Sequence, residues 1–413
     1  MQELLKTKRN LFTLLFTFLF YVLPLNIHAQ SKDSAALNNL IKKNIFRYND
    51  TAFAGPGWDI LEKEIRKVQF VMIGEQHGEA EIPMFTGKVA EIFKPKFFVA
   101  EIDPYAAERL KKVAANPSGD AGYFHKWPYD LAFYCWETEM KLARQLQSDK
   151  VGIWGLNEIT FMSNGLFFEQ LSSVAKIPAN KKLAMEKSIE CQRNDQLLYS
   201  DLVKKWNDFS FFKLTTGYID SLLYTFRNDN DESKKMLLDL KASRPLLGDN
   251  YPLRVNMMKK NLLNYVAPYI GNDSISIPKL LFKFGAFHVS RSNDLTNNFE
   301  MGNLADGLAA AGGKKTLHIL IFGKKGTINT MVSTDNNIAI APYDVKADKD
   351  LKVLNPFYDQ VNDGEWAVFD IRPIRRAIAG GQLTGINAGL SDFMKGFDLV
   401  VVFGSTTGNK FIH

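Results

Sequence analysis

Twice between Val68 and Asn116 the chain passes from a short apolar run into a helix-like segment: VQFVMIG, then 79–93, then FFVAEID, then 104–115. Such alternation implies crossover connections, which set successive strands parallel and lay helices over the sheet. Pro83 falls early in the first helical segment and Pro104 opens the second, positions where a missing backbone N–H costs little. An aromatic- and glycine-rich loop at 119–127, a helix around 131–147 and a strand at 151–156 follow.

From Ile159 to Val266 the pattern turns helical, with apolar residues every three or four positions. Strand-like runs resume at 279–289, 316–323, 326–332, 366–371 and 397–404. The expected fold is α/β, a mostly parallel central sheet flanked by helices with a large helical insertion at about 159–266. A lead-in segment at 30–67 precedes the α/β domain at 68–413.

The first 29 residues read as an export signal. Lys6, Lys8 and Arg9 precede the apolar run Leu11–Leu25, and Ile27, His28 and Ala29 offer a small-residue cleavage site. A periplasmic or secreted protein is expected, with no stable membrane span once the signal is removed. Removal lowers the formal charge from +6 to +4. Lysines and arginines alternate with acids along the whole chain, so no basic stripe points to nucleic acid. Cys135 and Cys191 are the only cysteines. Two cysteines define no disulfide framework, and pairing or burial as free thiols are equally open.

Two histidines follow strand-like runs: His77 after KVQFVMIGE and His288 at the end of PKLLFKFGAFH. In open α/β sheets ligands bind beyond the carboxyl ends of the strands. Each histidine, taken alone, is more commonly a hydrogen-bonded structural residue.

Gly74-Glu75-Gln76-His77-Gly78, with Glu81 four residues beyond the histidine, resembles the GE…HG motif of the erythromycin esterase family, which lies in a wider group with metal-dependent Tiki and TraB-like proteins. Glu101 falls at the family's strand-end acid, and Trp136 and Glu139 resemble its helix before the third core strand. Arg254, Met258 and Asn261 resemble its RDxxMAxN helix, His288 and Arg291 its NxHVxR segment, and Met301-Gly302 its following MG. The resemblance runs from about Val68 to Thr407. The first motif is one residue shorter than the esterases' GExxHG, and Asn157 stands where they usually have aspartate.

The resemblance implies hydrolysis of an ester or lactone. His77 is then the base that takes a proton from water, with Glu75 or Glu101 orienting it. Arg254, His288 and Arg291 are candidates to stabilise the oxyanion or act as acid. Glu81, Arg291, His125 and Trp127 are candidate substrate contacts. No GxSxG elbow is present and neither cysteine has a catalytic context, which favours direct water attack. No cofactor is expected on this reading. The alternatives are a divalent-metal hydrolase using His77, Glu101 and His288 as ligands, and a non-catalytic exported protein that binds a hydrophobic ligand or porphyrin.

Overall fold

The computed structural model describes residues 33–49, 53–199, 205–246, 250–271, 274–293, 298–330, 339–349 and 351–412. The expected export signal lies outside them. No helix among the described residues is long and apolar enough to cross a membrane.

The main sheet contains β1 (Ile45–Tyr48), β2 (Phe70–Glu75), β3 (Phe97–Ala100), β4 (Gly152–Gly155), β5 (Leu280–Gly285), β6 (Thr316–Gly323), β9 (Trp366–Asp370) and β10 (Leu399–Phe403). Their order is β1-β9-β10-β6-β2-β5-β3-β4. Pairings from β10 through β4 are parallel, and β9 alone is reversed, pairing antiparallel with both β10 and the edge strand β1. The sheet is thus mostly parallel, as expected, and β1 extends it from within the lead-in segment.

Side chains of β2 alternate between two apolar layers. Phe70 and Met72 face one core, Val71 and Ile73 the other. Period-two alternation with both faces covered explains why the central strands read as largely apolar runs. The predicted insertion carries helices Asn164–Val174, Pro178–Gln196, Thr216–Thr225, Asp231–Ser243 and Tyr251–Val266. The first four pack largely around their own core of Phe167, Phe168, Leu171, Leu237 and Leu240. The fifth instead packs Val255, Met258, Leu262 and Val266 into a sheet-facing core.

Several local expectations change. The helix after β2 starts at Glu81 rather than at 79. Gly78 holds φ 92°, and a Cβ there would come within 2.0 Å of the Asn329 carbonyl oxygen, so the turn requires glycine. Glu79 is buried and its carboxylate accepts the Gly323 N–H, which keeps this residue out of the helix. The helix expected at 131–147 is broken into a 3₁₀ turn Ala132–Cys135 and helix Glu137–Ser148, with Trp136 extended and buried between them. The expected strand at 326–332 is β7 (Lys325–Asn329), which leaves the main sheet and pairs with β8 (Ile340–Asp344) in a two-stranded ribbon. Both cysteines are buried free thiols in separate clusters.

Candidate functional site

β2, β3 and β5 end side by side, with Glu75 in register with Gly285. Each strand delivers a functional group at its carboxyl end: β2 runs into Glu75 and His77, β3 into Glu101, and β5 into Gly285 and the 3₁₀ turn Ala286–Val289 that carries His288. Helix Tyr251–Val266 brings Arg254 over them.

His77 lies between two carboxylates. Its Nδ1 is 2.8 Å from Glu75 Oε1, and its Nε2 is 3.4 Å from Glu101 Oε2. Phe133 stacks on the ring at 4.1 Å between centroids, and about a third of the imidazole (30%) remains exposed. Burial alone lowers a histidine pKa, but Glu101 and Glu75 outweigh it and raise His77 to about 9. The resting ring is therefore an imidazolium at neutral pH. Burial raises the Glu101 pKa, yet His288, His77 and Arg254 hold it well below the usual carboxylate range.

Gly285 makes this approach feasible. Its N–H donates to Glu101 Oε2 at 2.7 Å, and a Cβ there would lie 3.1 Å from His77 Nε2. Any larger residue would crowd the Nε2 edge of the imidazole.

Arg254 joins the opposite side. Nη2 donates to Glu101 Oε1 at 2.9 Å, Nη1 lies 3.2 Å from His288 Nε2, and Nε faces both Glu158 oxygens at 3.0 and 3.1 Å and Asn157 Oδ1 at 3.1 Å. Asn157 thus keeps the arginine contact that an acid would make, while the neighbouring Glu158 supplies the charge. A guanidinium N–H only donates, so His288 Nε2 accepts and the ring proton falls on Nδ1, 3.0 Å from Glu300 Oε2. Tyr251 stacks on His288 and donates to Glu300 Oε1 at 2.6 Å. His288 is thereby a support for Arg254.

Behind His77 runs a second set of charges. Lys283 Nζ donates to Glu75 Oε1 at 2.7 Å and to Glu139 Oε1 at 2.6 Å, all three being buried. Burial raises the Glu139 pKa to about 7 against the pull of Lys283. Burial likewise opposes the Glu75 charge, but Lys283 and His77 keep its pKa low. Lys283, Glu158, Glu300, Tyr251 and Phe133 were not singled out from sequence. A lysine inside the apolar run LLFKFG was a readable signal for the first, since a buried lysine needs a buried acid.

The other expected residues lie elsewhere. Arg291 is bound by Asp398 and Asp306 and reaches Thr316, at the amino ends of β6 and β10, the opposite end of the sheet. Glu81 holds Thr406 and the Thr407 N–H, fastening the helix start to the carboxyl-terminal segment. Trp127 is buried under Lys126, and His125 is exposed on the short helix Asp120–Lys126. Neither joins the hydrogen-bonded cluster among the described residues. Asn261 donates to the Leu156 carbonyl and braces the helix that carries Arg254.

The donor set does not suit a metal ion. Both Glu101 oxygens are taken by N–H donors, and the Arg254 guanidinium stands beside His288 where a cation would sit. Among the described residues no group of three or more His, Cys, Asp or Glu has metal-holding geometry.

No protein-family model matches the chain, and no curated protein matches it in sequence. Solved structures do share its architecture. A protein from Bacillus cereus superposes with a TM-score of 0.58 at 15% identity, over 93% of this chain and 99% of that one. A succinoglycan biosynthesis protein gives 0.53 at 13% identity, over 91% and 98%. An erythromycin esterase mutant in its open conformation gives 0.53 at 12% identity, over 86% and 95%. At these identities the likeness is one of fold.

Proposed function

We propose that this chain is a hydrolase that cleaves a carboxylic ester or lactone by water attack, with His77 as the base. The observation that carries this reading is the line Glu75–His77–Glu101 with about a third of the His77 side chain exposed. Glu75, on Nδ1, fixes the tautomer so that Nε2 is the nitrogen that faces a water. Arg254, held by His288 and Glu158, supplies fixed N–H donors where negative charge collects on the carbonyl oxygen. The fold shared with an erythromycin esterase supports the same reaction class, though a shared fold alone fixes no substrate.

The base works only after losing its resting proton. With a pKa of about 9, about 1% of His77 is neutral at pH 7. Turnover should therefore rise into the alkaline range. Arg254 and His288 favour the metal-free version of the chemistry, because the guanidinium already provides the positive charge a Lewis acid would bring.

A panel of chromogenic esters and macrolide lactones, assayed with the wild type and His77→Ala, tests this. Turnover that disappears in His77→Ala is the expected result. No turnover by the wild type on any member, together with tight retention of a hydrophobic ligand, would replace hydrolysis with the binding-protein reading.

A further inference from the structure

The end of the sheet opposite His77 bears a cleft of about 690 Å³. It opens at the amino ends of β2, β5, β6 and β10, about 20 Å from the catalytic edge along β2 at roughly 3.3 Å per residue. A volume of this order is typical of small-molecule sites.

Its walls bring together cations from four distant segments. Arg66 and Lys67 follow helix Pro56–Ile65, Lys279 precedes β5, Lys314 and Lys315 precede β6, and Arg372 starts the helix after β9. Two carboxylates, Glu64 and Asp398, also line it. Both are already matched: Glu64 by Lys67 and Arg372, Asp398 by Arg291 and Arg375.

Cations near helix carboxyl ends often do no more than offset the helix dipole. Arg66 and Lys67 fit that account, each also paired with an acid of its own helix. Lys279, Lys314 and Lys315 do not. Lys279 Nζ reaches only the Phe93 carbonyl and ring, and Lys314 and Lys315 are exposed with no carboxylate partner among the described residues. A concave wall with unbalanced positive charge concentrates anions.

We propose that this cleft binds a soluble small molecule carrying two or more phosphate-like groups. A single phosphate is the poorer fit. Arg372 is tied to Asp370 and Glu64, and Arg66 to Glu62, so neither planar fork is free to grip one anion bidentately. Among the described residues, the cleft cations without a carboxylate partner are the lysine point charges of two segments, Lys279 and Lys314–Lys315, which together suit several anionic groups spread across the cleft.

Isothermal titration of the full chain with inorganic tripolyphosphate, at ionic strength balanced with potassium chloride, tests the proposal. Saturable one-site binding is expected, with orthophosphate much weaker. The double variant Lys314→Glu/Lys315→Glu should weaken it by about tenfold or more, equivalent to about 1.4 kcal/mol, with thermal unfolding unchanged. Because both lysines are exposed, folding is preserved, and Lys314→Glu alone gives an intermediate loss. No saturable binding to tripolyphosphate, equal affinity in the double variant, or binding confined to phosphatidylglycerol vesicles would each overturn the proposal.

Discussion

Arg254 on the last helix of the 159–266 region donates to Glu101 at the end of β3 across 2.9 Å, although 153 residues separate them in the chain. That contact ties a helix to the strand ends and fixes the guanidinium between Glu101, His288 and Glu158. Arg254→Lys should therefore not be conservative, because one ammonium cannot reproduce the fork. We expect kcat to fall by about 10²–10³ with KM little changed, as when one oxyanion donor is lost. A fall confined to KM, in steady-state assays on the best ester, would show that Arg254 only binds substrate.

The rate should follow deprotonation of His77. For a base whose pKa is raised to about 9, kcat/KM climbs about tenfold per pH unit from 7 and levels above the pKa. His77→Ala should lose about 10²–10⁴ of the rate and the alkaline rise with it. A wild-type profile flat from pH 7 to 9 would contradict the assignment of His77 as base.

The same raised pKa has a stability consequence of defined sign. The ion pairs of His77 stabilise the fold fully below the unfolded histidine pKa and are lost as pH rises through about 9. Denaturant melts of the wild type and His77→Gln should thus differ at pH 6 and converge by pH 10. Persistence of the gap at high pH would assign it to packing against Phe133 instead.

Glu139 acts on His77 through Lys283. Glu139→Gln removes a negative charge and leaves Lys283 free to serve Glu75 alone, so the imidazolium loses support. The alkaline limb should move toward lower pH, read both from the rate profile and from an NMR titration of His77. A shift to higher pH would reverse the sign of this electrostatic account.

Lys283→Met leaves Glu75 and Glu139 buried without their common cation. We expect a loss of about 3–5 kcal/mol, as for other buried ion pairs deprived of one partner. The double variant Lys283→Met/Glu139→Gln should lose less than the single one, because one stranded carboxylate is gone. Simple additivity in urea unfolding would argue against a coupled triad.

Much of this was legible in local sequence. Largely apolar runs marked the positions of the central strands, since a strand covered on both faces is apolar except where a buried charge such as Lys283 finds a partner. The order of β2, β3, β5 and β6 could not be read, because hydrogen-bond partners in a parallel sheet are chosen by crossover packing. The helix after β2 shows the limit of local reading. Its first residues look helical, yet the tertiary anchor of Glu79 on Gly323 and the close approach of Gly78 to Asn329 delay the start to Glu81.

By itself the sequence determined a mostly parallel α/β sheet and placed His77, Glu75 and Glu101 at strand ends, because the period of each element and the alternation of strands with helices are local properties. Only the tertiary structure decided that Arg254 and His288 close over Glu101, that Arg291 lies at the far end with Asp398, and that Lys283 and Glu139 stand behind Glu75. Those outcomes depend on which charges meet out of water. The energy of a buried charge is set by neighbours that the chain brings from hundreds of residues away, and no spacing along the sequence encodes it.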